Sequence, residues 1–252
     1  MSLPWKRCIV VGASSGIGEA IALKLGQQPG VSVALVARRQ EELERVKKAI
    51  ESAGATGSRA IIYPHDVLNQ AEVPALFQKI AQDLGGLDLI VYASGVMPLI
   101  EPDEYNFDKD LSTVQVNVLG AVAWLNEAAQ RFERSKSGCI VGISSVAGDR
   151  GRRGYPVYGA SKAFFDNYLE SLRNRVARFG VRVVTIKPGP VDTPMTKDLK
   201  KKPLLITADA AAEQILTAAS RGKRLAYVPG TWRPIMAIVR FIPSFIFRKL
   251  NF

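Results

Sequence analysis

A glycine-rich turn near the N terminus places the strongest constraint on the fold of this 252-residue chain. The turn reads Gly12-Ala13-Ser14-Ser15-Gly16-Ile17-Gly18 and follows an apolar run at 8–11 that predicts a buried strand. A helix-like run follows at about 19–27. Strand, glycine turn and helix in this order let the backbone approach a pyrophosphate, which then rests on the helix N terminus. The spacing is Gly-x-x-x-Gly-x-Gly, so the turn taken alone also fits a plain tight turn.

Strand-like and helix-like runs continue to alternate along the chain, without internal repeats or linkers. Six such alternations predict an α/β fold, a doubly wound parallel sheet of the Rossmann-like type. We expect one domain over residues 1–230 and an apolar, basic tail over 231–252. The further predicted strands are 31–37, 60–63, 87–93, 139–143, 181–186 and 225–228, and the further helices are 41–53, 73–84, 111–131, 160–179 and 207–221.

A candidate reactive site lies between the predicted strand 139–143 and the predicted helix 160–179. Tyr158 and Lys162 are four residues apart, which puts them one turn apart on one helix face. Ser145 follows the strand. A phenol titrates near pH ~10, so a nearby ammonium is the natural device for making it an acid or base at neutral pH. The pattern predicts a carbonyl-reducing site, with a core tyrosine beside a solvated lysine as the alternative.

Two arginines end the second predicted strand, where enzymes that use NAD usually carry a carboxylate for the ribose 2′-hydroxyl. Here the strand runs into Arg38 and Arg39, with no acid before Glu41. Arginine at this point suits a 2′-phosphate, so the sequence favours NADP(H). The third predicted strand ends close to Asp66, at an edge where ligands bind in open α/β sheets.

Composition excludes several other kinds of site. The chain has one histidine, His65, and two cysteines, Cys8 and Cys139, both inside apolar runs. Buried free thiols are therefore expected, and neither a metal site nor a Ser-His-Asp triad is. The net charge of +11 lies mainly in the last quarter of the chain, where residues 187–252 carry twelve Lys/Arg against four Asp/Glu. No nucleic-acid recognition motif accompanies that charge, so nucleic acid is not a predicted partner.

Taken together, these motifs closely resemble those of the short-chain dehydrogenase/reductase family, over residues 6 to about 230. Each stands in the family's order and structural setting, and the set is far more specific than any one member. The matching pieces are Gly12-x-x-x-Gly16-Ile17-Gly18, Asp66-Val67, Asn117, Ser145, Tyr158-x-x-x-Lys162 and Pro188-Gly189-x-x-x-Thr193.

The resemblance implies a role for each matching residue. Tyr158 would be the general acid, Lys162 would lower its pKa and bind the nicotinamide ribose, and Ser145 would hydrogen-bond the substrate oxygen. Asn117 would hold a proton-relaying water, although its amide could instead be satisfied by a neighbouring carbonyl. The residues expected to bind the cofactor are Gly12, Ser14, Ser15, Gly16, Ile17, Gly18, Arg38, Arg39, Asp66, Val67, Tyr158, Lys162, Pro188, Gly189, Val191 and Thr193.

Two departures from the family pattern affect the first and fourth loops. Val11 stands where the family usually has threonine, and the family's Asn-Asn-Ala-Gly is here Tyr92-Ala93-Ser94-Gly95. Because polar side chains are lost from both loops, we expect an apolar contact between Val11 and Tyr92 to replace the usual tie.

The sequence thus predicts an NADP(H)-dependent oxidoreductase that interconverts a ketone or aldehyde, of lipophilic character, and an alcohol. The alternative is a catalytically silent NADP-binding sensor or scaffold. No export signal is recognised at the N terminus, which predicts a cytoplasmic protein, and the family resemblance implies a homo-oligomer. The tail 231–252 suits either a helix lying in a membrane interface, as a peripheral contact, or a segment packed over the substrate pocket or a second subunit.

Overall fold

A seven-stranded parallel sheet forms the centre of the chain in a computed structural model that describes residues 3–53, 55–101, 103–199 and 201–250. The strand order is β3-β2-β1-β4-β5-β6-β9. Strands β2 and β3 are added on one side of β1 and the later strands on the other, so the point where the order switches lies between β1 and β4. This is the doubly wound, Rossmann-like sheet that the alternating pattern predicts. The sheet strands are β1 (Arg7–Val11), β2 (Ser32–Ala37), β3 (Arg59–Pro64), β4 (Leu89–Tyr92), β5 (Cys139–Ile143), β6 (Arg182–Pro188) and β9 (Leu225–Val228), and β7 (Val191–Asp192) pairs with β8 (Ile206–Thr207) in a separate parallel ladder.

Helices cover both faces of the sheet, since crossovers between parallel strands must return over one face or the other. Alternate residues of β1 show the two layers: Cys8 and Val10 pack in one core cluster, Ile9 and Val11 in the other. The helices are α1 (Gly16–Gly26), α2 (Gln40–Ser52), α3 (Val73–Asp83), α4 (Phe107–Val114), α5 (Gly120–Ser135), α6 (Pro156–Val176), α7 (Ala208–Ser220), α8 (Trp232–Phe241) and α9 (Ser244–Phe247).

Two helices differ most from their predicted bounds. The helix of Tyr158 begins at Pro156 instead of residue 160, because proline lacks an N–H and suits the first helical turn. The helix predicted at 111–131 extends from Phe107 to Ser135 but contains a π-helical turn at Gln115–Leu119. Such a turn is frequently found at functional sites, and Asn117 lies at its centre.

Both cysteines are buried free thiols, as expected. Val11 and Tyr92 are register partners on β1 and β4, fully buried in the same core cluster, so the expected apolar contact between them is present. The Tyr92 hydroxyl donates to the Val116 carbonyl oxygen at 2.9 Å, which ties β4 to the π-helical turn.

The tail forms α8 and α9, and the break between them falls at Ile242 and Pro243 as predicted from the proline. Trp232, Met236 and Val239 form a small buried cluster with Val146. No helix among the described residues is long and apolar enough to cross a bilayer. Met1, Ser2, Asn251 and Phe252, which belong to the predicted domain and tail, lie outside the described residues.

Candidate active site

A cleft at the carboxyl edge of the sheet brings together the residues that the sequence singles out. All of the predicted cofactor-binding residues line it, and so does Ser145. Asn117 lies just behind the lining. The cleft is also lined by residues outside the predicted cofactor-binding and catalytic set, namely Ala37, His65, Ala93, Ser94, Gly95, Val96, Val116, Ile143, Ser144, Pro194, Met195 and Thr196. Most of these sit at strand ends, which is the signal that could have identified them.

The glycine turn packs directly against the loop that follows β4. Gly12 has φ +91°, and a Cβ at this position would lie 2.6 Å from the backbone nitrogen of Ser94. A Cβ at Gly18 would collide with the carbonyl oxygen of Gly12. The two loops are therefore held together by close backbone contact.

The N terminus of α1 opens onto this turn and is suited to an anion. Ser15 is the N-cap residue, and its side chain makes no capping hydrogen bond. The first backbone N–H groups of a helix have no partner within it, and the helix dipole adds partial positive charge there. A phosphate bound in the cleft would meet these donors, so the turn fits the pyrophosphate of a dinucleotide.

Arg39 extends the same anion-binding surface. Its Nη2 donates to Ser14 Oγ at 3.1 Å, which holds the guanidinium beside the glycine turn. Arg38 is 64% exposed at its side chain, and its Nη1 lies 3.7 Å from Asp66 Oδ2. The two arginines thus differ. Arg39 is held beside the glycine turn by Ser14, whereas the charge of Arg38 is partly neutralised by the carboxylate of Asp66.

Tyr158 and Ser145 both line the inner end of the cleft, where the Ser145 side chain is close enough to act on the Tyr158 phenol. Burial raises the pKa of Tyr158, while the hydrogen bond from Ser145 and the positive charge of Arg152 oppose that rise. The phenol is therefore protonated at neutral pH. Arg152 was not identified from the sequence, because nothing in its spacing links it to Tyr158.

Lys162 is buried, and its Nζ donates to the Ile143 carbonyl oxygen at 3.0 Å. Burial lowers the pKa of Lys162 to about 8, against an opposing effect of Asp166. Its Nζ lies 5.8 Å from the centroid of the Tyr158 ring. The positive charge that opposes the rise in the pKa of Tyr158 comes from Arg152, while the Lys162 ammonium donates to the end of β5.

Asn117 clamps the loop after β4 to α6. Its Nδ2 donates to the Val96 carbonyl oxygen and to Ser161 Oγ, both at 3.0 Å, and its Oδ1 accepts from the Val96 N–H at 2.8 Å. Both side-chain donors are thus satisfied by neighbours, the arrangement weighed above as the alternative. Oδ1 still borders the cleft at Gly95, where an added Cβ would lie 3.4 Å from Oδ1 and 3.5 Å from Lys162 Nζ.

A buried cluster of charged side chains lies behind the reactive residues and links β6, α6 and the loop after β5. Lys187 on β6 hydrogen-bonds Asp149 and pairs with Asp166 Oδ2 at 2.9 Å, and Tyr227 donates to Asp149 Oδ2 at 2.8 Å. The side chains of Lys187 and Asp149 are 9% and 1% exposed. Asp166 is one turn beyond Lys162 on α6, so the cluster joins three parts of the cleft wall.

The tail borders the substrate side of the cleft. A Cβ at Gly189, which lines the cleft, would collide with the indole of Trp232. Arg152 Nη2 lies 3.8 Å from Met236 Sδ. The apolar side chains of Val96 and Met195 line the cleft, whereas Leu204 and Leu205 are exposed on the surface. The buried face of α8, formed by Trp232, Met236 and Val239, therefore packs beside the cleft. Packing over the substrate pocket is one of the two alternatives given above for the tail.

Comparison with known proteins gives a consistent family match. The family model described as short chain dehydrogenase matches residues 6–204. An uncharacterised oxidoreductase of Staphylococcus aureus strain USA300 is 31% identical over 235 residues, which cover 91% of this chain and 97% of that protein. An uncharacterised oxidoreductase of Staphylococcus epidermidis is 33% identical over 192 residues, covering 76% of this chain and 80% of the relative.

Solved structures of similar proteins share the fold. A short-chain type dehydrogenase/reductase from Mycobacterium ulcerans superimposes with a TM-score of 0.80 at 26% identity, covering 90% of this chain and 89% of that one. The structure described as ElxO with NADP bound superimposes with a TM-score of 0.78 at 21% identity, covering 89% and 97%.

Proposed function

The chain belongs to the short-chain dehydrogenase/reductase family of oxidoreductases, and we propose that it is an NADP(H)-dependent enzyme that interconverts a carbonyl compound and an alcohol. The observation that carries the proposal is the placement of Ser145, Tyr158 and Lys162 in the same cleft as the uncapped N terminus of α1. For hydride transfer from a dinucleotide, the protein must hold the cofactor and place a proton donor beside it, and this cleft contains groups suited to both tasks.

The chemistry follows from the charge that the carbonyl oxygen gains during reduction. When bound, the nicotinamide cofactor supplies the hydride that adds to the carbonyl carbon. Tyr158 transfers its phenolic proton to the oxygen, and Ser145 donates a hydrogen bond to the same oxygen as negative charge develops there. The raised pKa of Tyr158 keeps the phenol protonated before reaction, while Arg152 and Ser145 stabilise the phenolate that remains afterwards.

Lys162 and Asn117 would return the proton. A small space beside Gly95 is bordered by Lys162 Nζ and Asn117 Oδ1, and a water there would contact both. We place the relay water of the family resemblance at this position. With a pKa of about 8, Lys162 can give up and regain a proton near neutral pH.

The cofactor-binding residues are proposed as in the sequence analysis, with NADP(H) preferred over NAD(H). Arg39 supports this preference because Ser14 holds its guanidinium beside the glycine turn, where a 2′-phosphate would form a charge-assisted hydrogen bond. The neighbouring solved structure with NADP bound has the same fold, and so shows that this fold can carry that cofactor.

We also propose an oligomeric state, domain bounds and a cellular location. Exposed apolar residues on α4 and α6, among them Phe107, Leu111 and Phe164, favour a homo-oligomer formed through these helices. We propose residues 1–230 as the catalytic domain, residues 231–252 as an appended tail, and the cytoplasm as the location.

The test is a screen for oxidation of NADPH, followed at 340 nm, with a panel of ketones, aldehydes and 3-oxoacyl thioesters. We expect turnover with at least one lipophilic carbonyl, and a lower KM for NADPH than for NADH. If the protein binds NADPH in a fluorescence titration but turns over no compound of the panel, the alternative of a catalytically silent NADP-binding sensor or scaffold gains support.

A further inference from the structure

The outward face of α8 consists of apolar side chains. Trp232, Met236 and Val239 turn inward and are buried, as one stripe of an amphipathic helix should be. On the opposite side, Ile238 is 69% exposed and Phe241 is 87% exposed. A helix with solvent on its outer face normally presents polar residues there. The outer face of α8 is therefore suited to a surface other than water.

The short helix α9, two residues further along the chain, also exposes apolar side chains. Phe245 is 61% exposed and Ile246 is 42% exposed, so exposed apolar side chains are found on both helices of the tail. An aromatic-rich exposed patch of this kind marks an interaction site, because isolated exposed apolar residues are common and contiguous ones are not. We call these four residues, Ile238, Phe241, Phe245 and Ile246, the tail patch.

The charged side chains that the tail itself carries have one sign. No acidic residue follows Glu213 in the sequence. At 100° per residue, Arg233 and Arg240 lie together on one flank of α8, between its buried stripe and its outer face. Arg248 and Lys249 follow α9, and all four cations are exposed. The flanking charge therefore matches an anionic partner.

The tail patch is held in place by the body of the protein. Arg150, in the loop between Ser145 and Tyr158, donates to the carbonyl oxygens of Val239 and Arg240 at 2.7 and 3.1 Å. It also donates to the Ile242 carbonyl oxygen, and its guanidinium lies 4.0 Å from the centroid of the Phe247 ring. Binding through the patch consequently requires no prior folding of the tail, which lowers its entropic cost.

We propose that the tail patch binds the surface of an anionic lipid bilayer, with α8 lying in the interface plane. Apolar and aromatic side chains would enter the boundary between headgroups and acyl chains, while the flanking cations would contact lipid phosphates. A second copy of the chain is a poorer occupant, because pairing two tail patches would bring the exposed cations of both tails together, and residues 231–252 carry no acidic side chain to offset them.

The test is flotation of the full-length protein with vesicles of phosphatidylcholine and phosphatidylglycerol, against vesicles of phosphatidylcholine alone. We expect binding to the anionic vesicles at low salt and weaker binding at 0.5 M salt, because screening shortens electrostatic attraction. Phe241→Ser should weaken binding roughly tenfold, since it removes an aromatic side chain from the apolar contact. Arg233→Gln with Arg240→Gln should weaken it by about fivefold or more.

Matched controls separate the tail patch from general stickiness and net charge. Tyr105 is fully exposed outside the tail, so Tyr105→Ser removes a comparable aromatic. Lys47→Gln with Lys48→Gln, on α2, removes the same two charges. Both controls should bind like the unmodified protein.

The readout is independent of turnover, so failure of the proposed enzymatic function would leave this result unaffected. The proposal is overturned if the unmodified protein fails to float with anionic vesicles at low salt, or if Phe241→Ser and Tyr105→Ser lose binding equally. A fall in oligomeric mass with Phe241→Ser, without vesicle binding by the unmodified protein, would identify the patch as a subunit contact and refute the lipid assignment.

Discussion

Replacing Lys187 by methionine should strongly destabilise the protein, because it leaves the carboxylates of Asp149 and Asp166 buried without their shared cation. Methionine matches the lysine side chain in length, so the substitution leaves little cavity. Removing one partner of a buried ion pair costs about 3–5 kcal/mol, since the remaining charge stays desolvated. For a chain of this size, that corresponds to a fall in Tm of roughly 6–20 °C.

The pH dependence of this loss has a definite sign. Burial raises the pKa of Asp166, against the opposing effects of Ser144 and Lys187. Without Lys187 that pKa should rise further. A carboxyl group whose pKa is higher in the folded state binds more protons there than in the unfolded state, so stability increases as pH falls. The Tm difference between Lys187→Met and the unmodified protein should therefore shrink between pH 8 and pH 5.

The assay is thermal unfolding followed by circular dichroism at pH 8, 7, 6 and 5. Lys79→Met is the matched control, because Lys79 pairs with Asp83 at 3.0 Å on the surface, with its side chain 64% exposed. Exposed pairs contribute only about 0.2–1 kcal/mol, so the control should change Tm little. A Lys187→Met variant that melts like the control, or whose Tm deficit grows as pH falls, would refute the reasoning.

Three further results are expected. Arg39→Gln should raise the Kd for NADPH roughly tenfold or more while leaving that for NADH nearly unchanged, because a charge-assisted hydrogen bond contributes about 1.5–3 kcal/mol; equal effects on both cofactors would contradict this. Gly95→Ala should fold normally but slow turnover, since its methyl group would occupy the space between Asn117 and Lys162; undiminished turnover would exclude a relay water there. The reduction rate should fall above about pH 8 as Lys162 loses its proton, and a flat profile to pH 10 would contradict this role.

The sheet and the cleft edge could be predicted from sequence because buried parallel strands are read from local apolar runs. Each strand of the central sheet overlaps its predicted segment within a few residues. The two-residue strands β7 and β8 were missed, since so short a ladder leaves no apolar run to detect. The π-helical turn at Asn117 was also missed, because residues 114, 116, 118, 119, 121 and 123 are all apolar, and so dense an apolar run hides a one-residue shift in the helical period.

The contacts that position the reactive residues could not be predicted, because they join distant parts of the chain. Lys187 and Asp149 are 38 residues apart, and Arg150 binds carbonyl oxygens about 90 residues further on. Arg152 acts on Tyr158 only because the loop before α6 folds back toward Met236. The position of the tail also could not be predicted, because its sequence is compatible both with a helix in a lipid interface and with a segment packed on the protein. In the structure one helix has a buried face beside the cleft and an exposed apolar face.

The most direct test of the account is the rate of hydride transfer in Tyr158→Phe, measured in a single turnover with NADPH and a carbonyl substrate found in the screen. The substitution keeps the ring and deletes the proton donor, so the rate should fall by about 10²–10⁴ while NADPH still binds. Tyr155→Phe, which alters a phenol three residues away, should react at nearly the unmodified rate. If Tyr158→Phe retains most of the activity, Tyr158 is not the acid and the proposed mechanism is wrong.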